Sequence, residues 1–139
     1  MEAKAIWKNK FSFTSVGTTG SSITLRAEPS IGDDDEGFEP MELVAIGLAG
    51  CTGMDVISIL QKKRQEVTAF EVQVHAERAL EFPKVFTNII IEYIVEGHNI
   101  EPAAVERSIE LSATKYCPVQ AMLDKACHIE HKYLIKAAR

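Results

Sequence analysis

The feature that most constrains this chain is a long apolar segment at residues 40–64, PMELVAIGLAGCTGMDVISILQKKR. Pro40 suits the first turn of a helix, where a missing N–H costs nothing. Apolar residues fall on every side of such a helix, which predicts a core helix that is buried all round. Each glycine weakens a helix by about 1 kcal/mol relative to alanine, so glycines at every third position need a compensating interaction. They predict close approach of another backbone, such as the same helix of a second subunit. These glycines are Gly47, Gly50 and Gly53.

A membrane-spanning helix is the competing interpretation of this segment. Leu43–Leu60 has 18 residues, which reaches the length of roughly 18 that a span requires. The segment also contains Asp55, Thr52 and Ser58. A charged residue near the middle of a bilayer costs about 3 kcal/mol. We therefore expect a soluble core helix and no membrane partner.

Composition predicts one soluble domain over residues 1–139. The net charge is −5 and no basic block occurs, which argues against nucleic acid as a partner. The first ten residues, MEAKAIWKNK, lack the apolar region of a signal peptide, so we expect a cytoplasmic protein. Three cysteines in a reducing compartment argue against a structural disulfide framework and leave a catalytic or redox pair open.

The hydrophobic pattern predicts the element order β-β-β-α-β-β-α-α-β, which is typical of an α+β fold. An acidic loop at Glu28–Glu39 separates the first three strands from the apolar helix. The predicted strands are Ala3–Lys8, Phe11–Thr14, Ser22–Ala27, Ala69–Ala79, Phe86–Val95 and Cys127–Ile135, and the later helices are Pro102–Tyr116 and Pro118–Ala126.

The cysteines differ in their predicted surroundings. Cys117 precedes Pro118 and is expected to cap a helix, where the N-terminus lowers the pKa of a thiol. Cys51 lies within the apolar helix, where burial favours the neutral thiol. Asp55, one helical turn on, would oppose a thiolate, so Cys51 is inert unless a cation reaches it. By composition alone, Cys51 is interpreted as a buried structural cysteine.

Metal chemistry has little support in the sequence. His128 and His131 are spaced i, i+3 in a predicted strand, which puts them on opposite faces. Cys127 precedes His128, but no zinc-ligand spacing follows. We expect no cofactor and no metal, and the role of Cys127 stays open.

Two motifs resemble those of the OsmC/Ohr family, the osmotically inducible protein C and organic hydroperoxide resistance proteins. They are PMELVAIGLAGC at residues 40–51 and CPV at residues 117–119, the second cysteine coming 66 residues after the first. The resemblance implies an α+β subunit whose central helices pack in an intertwined homodimer with active sites at the interface. It implies a thiol-dependent peroxidase that reduces organic hydroperoxides.

Under this resemblance, Cys51 corresponds to the peroxidatic cysteine and Cys117 to the resolving one, with a dithiol reductant as partner. Arg26, in ITLRAE, resembles the arginine that stabilises the thiolate in the OsmC branch. Glu42 resembles the family glutamate, which usually follows the proline directly. Here Met41 holds that position, and one residue is about 100° of helix rotation, so Glu42 is expected to point away from Cys51.

These departures indicate a divergent OsmC-like branch and leave two alternatives open. In one, the fold has weak or no peroxidase activity and binds a small apolar ligand at the dimer interface. In the other, the protein is a structural dimer with unreactive thiols. A cation within hydrogen-bonding reach of Cys51 would favour the peroxidase, whereas Asp55 as the sole nearby charge would disfavour it.

Overall fold

A computed structural model describes residues 1–28 and 36–139. They form two compact units, Met1–Val44 and Ala45–Arg139, each of which is described by itself. The predicted acidic loop, Glu28–Glu39, falls largely on positions 29–35, outside the described residues. The α+β class and the predicted order of strands and helices are confirmed.

The N-terminal unit contains an antiparallel meander of three strands: β1 (Ala3–Asn9), β2 (Ser12–Gly17) and β3 (Ser22–Leu25). Short turns join the strands, and Gly20 has a positive φ of 86° in the second of them. Glycine adopts that conformation without a steric penalty. Every residue of β1 is exposed, including the large apolar side chains of Ile6 and Trp7.

Helix α1 (Pro40–Lys62) is buried along a single stripe within the chain, at every fourth residue from Leu48 to Leu60. The expectation of a helix buried on all sides is therefore wrong for one chain. Within the unit Ala45–Arg139, only one side of α1 packs on the rest of that unit, and Met54 on another side is 73% exposed. Helix α1 is long and apolar enough to cross a bilayer, but the core helices of soluble proteins meet the same two criteria.

The glycines of α1 do not all meet another element of this chain. A Cβ on Gly53 would lie 3.3 Å from the side chain of Val72, a close contact with the sheet. A Cβ on Gly47 or Gly50 would meet no atom of the described residues within 4 Å. In the described part of a single chain, no second backbone lies close to these two glycines, so the predicted close approach stays a prediction.

The C-terminal unit is organised around β5 (Phe86–His98), the middle strand of a second three-stranded sheet. It pairs antiparallel with β4 (Glu66–Arg78) and parallel with β6 (His128–Ala137). Alternate residues of β5 are fully buried, as expected for a strand rich in β-branched side chains. These residues are Ile89, Ile91, Tyr93 and Val95.

The crossover from β5 to β6 runs through α2 (Pro102–Leu111), a π turn (Ser112–Tyr116) and α3 (Pro118–Leu123). The predicted α-helix to Tyr116 is therefore too long. Cys117 is extended, with φ −79° and ψ 106°, as the residue before a proline usually is. Its backbone N–H donates to the Ser112 carbonyl at 2.9 Å, which closes the wider π turn.

Candidate active site

The thiols of Cys51 and Cys117 lie near each other, and the Cys51 thiol contributes to the raised pKa of Cys117. Cys51 is partly exposed near the middle of α1, and Cys117 is 3% exposed before α3. All three cysteines are free thiols. The fold thus brings together the two cysteines to which the resemblance assigns chemistry, and their peroxidatic and resolving roles remain predictions.

Cys117 caps α3, as predicted, because its sulfur accepts a hydrogen bond from the backbone N–H of Gln120 at 3.4 Å. The prediction of a lowered pKa is nevertheless wrong. Burial and, second, the neighbouring Cys51 thiol raise the pKa of Cys117 to about 11. The backbone N–H groups of Gln120 and Val119 oppose this rise but do not outweigh it. Cys117 is therefore a neutral thiol at physiological pH.

A buried chain of hydroxyl groups lies beside the cysteines. The hydroxyl of Thr52 is 2.8 Å from that of Tyr93 and 2.8 Å from that of Ser112. The Ser112 hydroxyl donates to the carboxylate of Asp55 at 2.9 Å. Each hydroxyl carries one proton, so the carboxylate sets the direction of the whole chain. Tyr93 donates to Thr52, Thr52 to Ser112, and Ser112 to Asp55.

Tyr93 remains protonated in this arrangement, since burial raises its pKa to about 12. The amide of Gln120 lies near its hydroxyl and partly opposes that rise. The Gln120 amide oxygen is 2.7 Å from Nε2 of His131, whose ring stacks on Tyr93 with centroids 6.2 Å apart. Burial lowers the pKa of His131, which makes its imidazole neutral at pH 7 and leaves Nε2–H as the donor to that oxygen.

Sequence reasoning missed this polar set, although one sequence feature pointed toward part of it. Thr52 and Tyr93 are polar residues inside otherwise apolar segments, and buried polar groups need partners. Their partners come from a different part of the chain, the π turn and α3, so no local spacing identifies them. Ser112 and Gln120 were missed for the same reason.

Asp55 lies on α1 as predicted, one turn after Cys51, but it is not an isolated charge. Its carboxylate accepts the hydrogen bond from Ser112 and is partly exposed. It also lines a surface pocket of about 290 Å³ together with Lys62 and Tyr116. The carboxylate thus connects the buried hydroxyl chain to the surface of its unit.

Arg26 lies in the N-terminal unit, where backbone and side-chain groups hold its guanidinium. Nε donates to the carbonyl of Gly37 and Nη1 to that of Ala27, each at 3.1 Å. Nη1 is also 3.8 Å from the carboxylate of Glu39. These contacts orient the guanidinium within its own unit, and the assignment of Arg26 as the cation beside Cys51 remains a prediction.

Glu42 lies in the first turn of α1 and is exposed. At about 100° of rotation per residue, Glu42 and Cys51 fall on opposite sides of that helix. This agrees with the expectation that Glu42 points away from Cys51 of its own chain. Its assignment as a catalytic residue also remains a prediction.

Cys127 forms a local hydrogen bond. Its thiol donates to the carbonyl of Leu123 at 3.6 Å, and burial raises its pKa. Within residues 1–28 and 36–139, no three histidine, cysteine or acidic side chains are grouped so as to hold a metal ion.

Known proteins resemble this chain over nearly its full length. Protein YhfA of Escherichia coli K12 is 40% identical over 138 residues, covering 99% of this chain and all of YhfA. A hypothetical protein from Aquifex aeolicus VF5 is 30% identical, with a TM-score of 0.87 and coverage of 99% of this chain and 97% of that one.

More distant structures share the fold alone. An OsmC-like protein from Mycoplasma pneumoniae is 17% identical with a TM-score of 0.83, covering 97% of this chain and 96% of that chain. An organic hydroperoxide resistance protein from Legionella pneumophila is 14% identical with a TM-score of 0.70, at 95% and 94% coverage. The family described as OsmC-like protein matches residues 32–132. With that match and the identity to YhfA, the chain belongs to the OsmC-like protein family.

Proposed function

We propose that this protein is a thiol-dependent peroxidase that reduces organic hydroperoxides in the cytoplasm. The observation that carries the proposal is the proximity of the thiols of Cys51 and Cys117. Membership of the OsmC-like family and the shared fold of proteins named for organic hydroperoxide resistance add support.

In the first step, the Cys51 thiolate attacks the terminal oxygen of the hydroperoxide. An S–O bond forms, the O–O bond breaks, and the alkoxide leaves as an alcohol after taking up a proton. The sulfur is oxidised to a sulfenic acid and the peroxide is reduced. The partial exposure of Cys51 is compatible with access of a substrate.

In the second step, the sulfur of Cys117 attacks the sulfenic sulfur of Cys51. The S–S bond forms, the S–O bond breaks, and the hydroxyl leaves as water with the proton of Cys117. Because the pKa of Cys117 is raised to about 11, this proton stays on the thiol until the reaction itself removes it. A dithiol reductant then reduces the disulfide and restores both thiols.

The proposal includes a homodimer, which would cover apolar surface left open in a single chain. Met54 on α1 and Trp7 on β1 are 73% and 63% exposed. An added Cβ on Gly47 or Gly50 would meet no described atom, so α1 is open at these positions. Because glycine has no side chain, a second backbone could approach α1 closely there. A partner chain would also add side chains around Cys51, among which Arg26 and Glu42 are the candidates.

The test is the intact mass of the reduced protein before and after one equivalent of cumene hydroperoxide, followed by peptide mapping. We expect a loss of about 2 Da and a linked Cys51–Cys117 peptide within seconds, since disulfide formation removes two hydrogen atoms, whose electrons reduce the hydroperoxide. An unchanged mass, or slow oxidation that includes Cys127, would refute the peroxidase.

A second candidate function is binding of a small apolar ligand at the dimer interface with little peroxidase activity. Asp55 favours it, because its carboxylate puts a negative charge one helical turn from Cys51, whereas the attacking sulfur of a peroxidase is anionic. The exposed apolar side of α1 offers such a ligand a surface. This candidate predicts an unchanged mass in the hydroperoxide experiment and saturable binding of an apolar fluorescent probe by the dimer.

A further inference from the structure

One hydrogen bond joins the neighbours of the two cysteines. Thr52 directly follows Cys51 on α1, and its hydroxyl is 2.8 Å from that of Ser112. Ser112 opens the π turn, and its carbonyl accepts the backbone N–H of Cys117 at 2.9 Å. The path from one cysteine to the other thus runs through one peptide unit, one side-chain hydrogen bond and one backbone hydrogen bond.

This link has little freedom to rearrange. Thr52, Ser112 and Tyr93 are each fully buried. Each of their hydroxyls donates to the next group, and the chain ends on the Asp55 carboxylate. Turning one hydroxyl away would leave a buried polar group unpaired, which is the costly outcome for hydrogen bonds in a protein interior.

The π turn places Ser112 where this link can act. A π turn inside or after an α-helix is rare and carries one more residue per hydrogen-bonded ring than an α turn. Here it lets Cys117 bond back to Ser112 while Ser112 faces α1. An ordinary α turn would bond Cys117 to the carbonyl of Ala113 and would rotate the neighbouring side chains by about 100° per residue.

We propose that Thr52 and Ser112 are positioning residues that hold the sulfur atoms of Cys51 and Cys117 at the separation that a disulfide needs. The inference rests on the proposed function for its biological use. The positioning effect itself can be measured without any peroxide. In a glutathione buffer, two protein thiols and one glutathione disulfide give one protein disulfide and two glutathione thiols, so atoms and electrons balance.

The test is the equilibrium constant of the Cys51–Cys117 disulfide in defined mixtures of reduced and oxidised glutathione, read by mass spectrometry. We expect Thr52→Val to lower the constant by about tenfold, the size of one net hydrogen bond. Thr52→Ser keeps the hydroxyl and should stay within about twofold of the wild type. Ser112→Ala gives a second measurement should Thr52→Val not fold.

Ser108→Ala is the matched control, because Ser108 is also fully buried but its hydroxyl donates within α2, to the Ala104 carbonyl at 2.7 Å. Its unfolding free energy should fall like that of Thr52→Val, without a change in the disulfide constant. Equal constants for wild type and Thr52→Val would overturn the positioning role and leave the proposed function standing. A positioning effect in glutathione with no oxidation by cumene hydroperoxide would support the positioning role and refute the peroxidase.

Discussion

The thiol of Cys117 lies near the thiol of Cys51, although 66 positions separate the two residues in the chain. The pair consists of a partly exposed thiol and a buried one. Burial keeps Cys117 neutral, with its pKa raised to about 11. The pair is thus asymmetric, in agreement with the proposed roles of Cys51 as the peroxidatic cysteine and Cys117 as the resolving one.

Replacing Cys117 should separate oxidation from disulfide formation. In Cys117→Ser, a hydroperoxide should oxidise Cys51 beyond the sulfenic acid to the sulfinic acid, because no second thiol reacts with the sulfenic acid first. Intact mass should then rise by about 32 Da instead of falling by about 2 Da. Cys127→Ser is the control and should behave as the wild type. Over-oxidation in both variants would contradict the pairing of Cys51 with Cys117.

The raised pKa of Cys117 predicts a pH dependence of stability. The ordinary pKa is 9.0, and the folded protein raises it to about 11. The neutral thiol therefore stabilises the fold fully below pH 9, and this contribution is lost as the pH rises toward 11. Urea unfolding from pH 8 to 11 should show a larger decline for wild type than for Cys117→Ser. Equal declines would contradict the raised pKa.

Alkylation gives an independent measure of the same thiol. At pH 8 a pKa near 11 reduces the thiolate fraction about a hundredfold relative to a pKa near 9. Iodoacetamide should accordingly label Cys117 much more slowly in the folded protein than in urea, as read by peptide mapping. Equal labelling rates would show that burial does not protect this thiol.

Arg26→Ala tests the cation assigned to Cys51 from the family resemblance. Loss of a nearby positive charge should slow oxidation of Cys51 by about tenfold or more, because such a charge stabilises the anionic sulfur that attacks the peroxide. The measurement is the rate of disulfide formation with a limiting dose of hydroperoxide. Arg107→Ala removes an exposed arginine paired with Glu110 on α2 and should leave the rate unchanged. Equal rates for Arg26→Ala and wild type would exclude Arg26.

Asp55→Asn should have the opposite effect. The amide oxygen of asparagine can still accept the hydrogen bond from Ser112, so the hydroxyl chain keeps its direction. The substitution removes the negative charge one turn after Cys51 and with it the Coulomb repulsion of an anionic attacking sulfur. Alkylation of Cys51 at pH 7 should accelerate severalfold with little change in the unfolding free energy. A slower reaction would show that the carboxylate assists Cys51.

Gly47→Ala tests whether a second chain covers α1. In a single chain the new Cβ meets no described atom, and alanine should stabilise the helix by about 1 kcal/mol. If α1 packs closely against a partner, the same methyl group should weaken the dimer, as measured by sedimentation at several concentrations. Gly17→Ala in β2, which also meets open space, serves as the control for association. Unchanged association of Gly47→Ala would place the interface elsewhere.

Much of the fold was predictable because its patterns are local. The alternation in β4, the β-branched run of β5 and the proline that opens α1 each act over a few residues, and the structure confirms all three elements. The end of α2 was not predictable to the residue. The π turn depends on Cys117 bonding back to Ser112 after Pro118 forces the chain to extend, and this outcome depends on packing against α1.

The sequence by itself determined the order of elements, and the resemblance of its two cysteine motifs to those of the OsmC/Ohr family implied which thiols would meet. The tertiary structure decided the protonation state of Cys117. A helix N-terminus lowers a thiol pKa where water is near, but at Cys117 burial outweighs the two N–H groups that face the sulfur. The local sequence pattern could not predict the polar partners of Thr52 either, because Tyr93 and Ser112 reach it only when β5 and the π turn pack against α1. Burial and long-range contact are properties of the folded chain, and no local spacing encodes them.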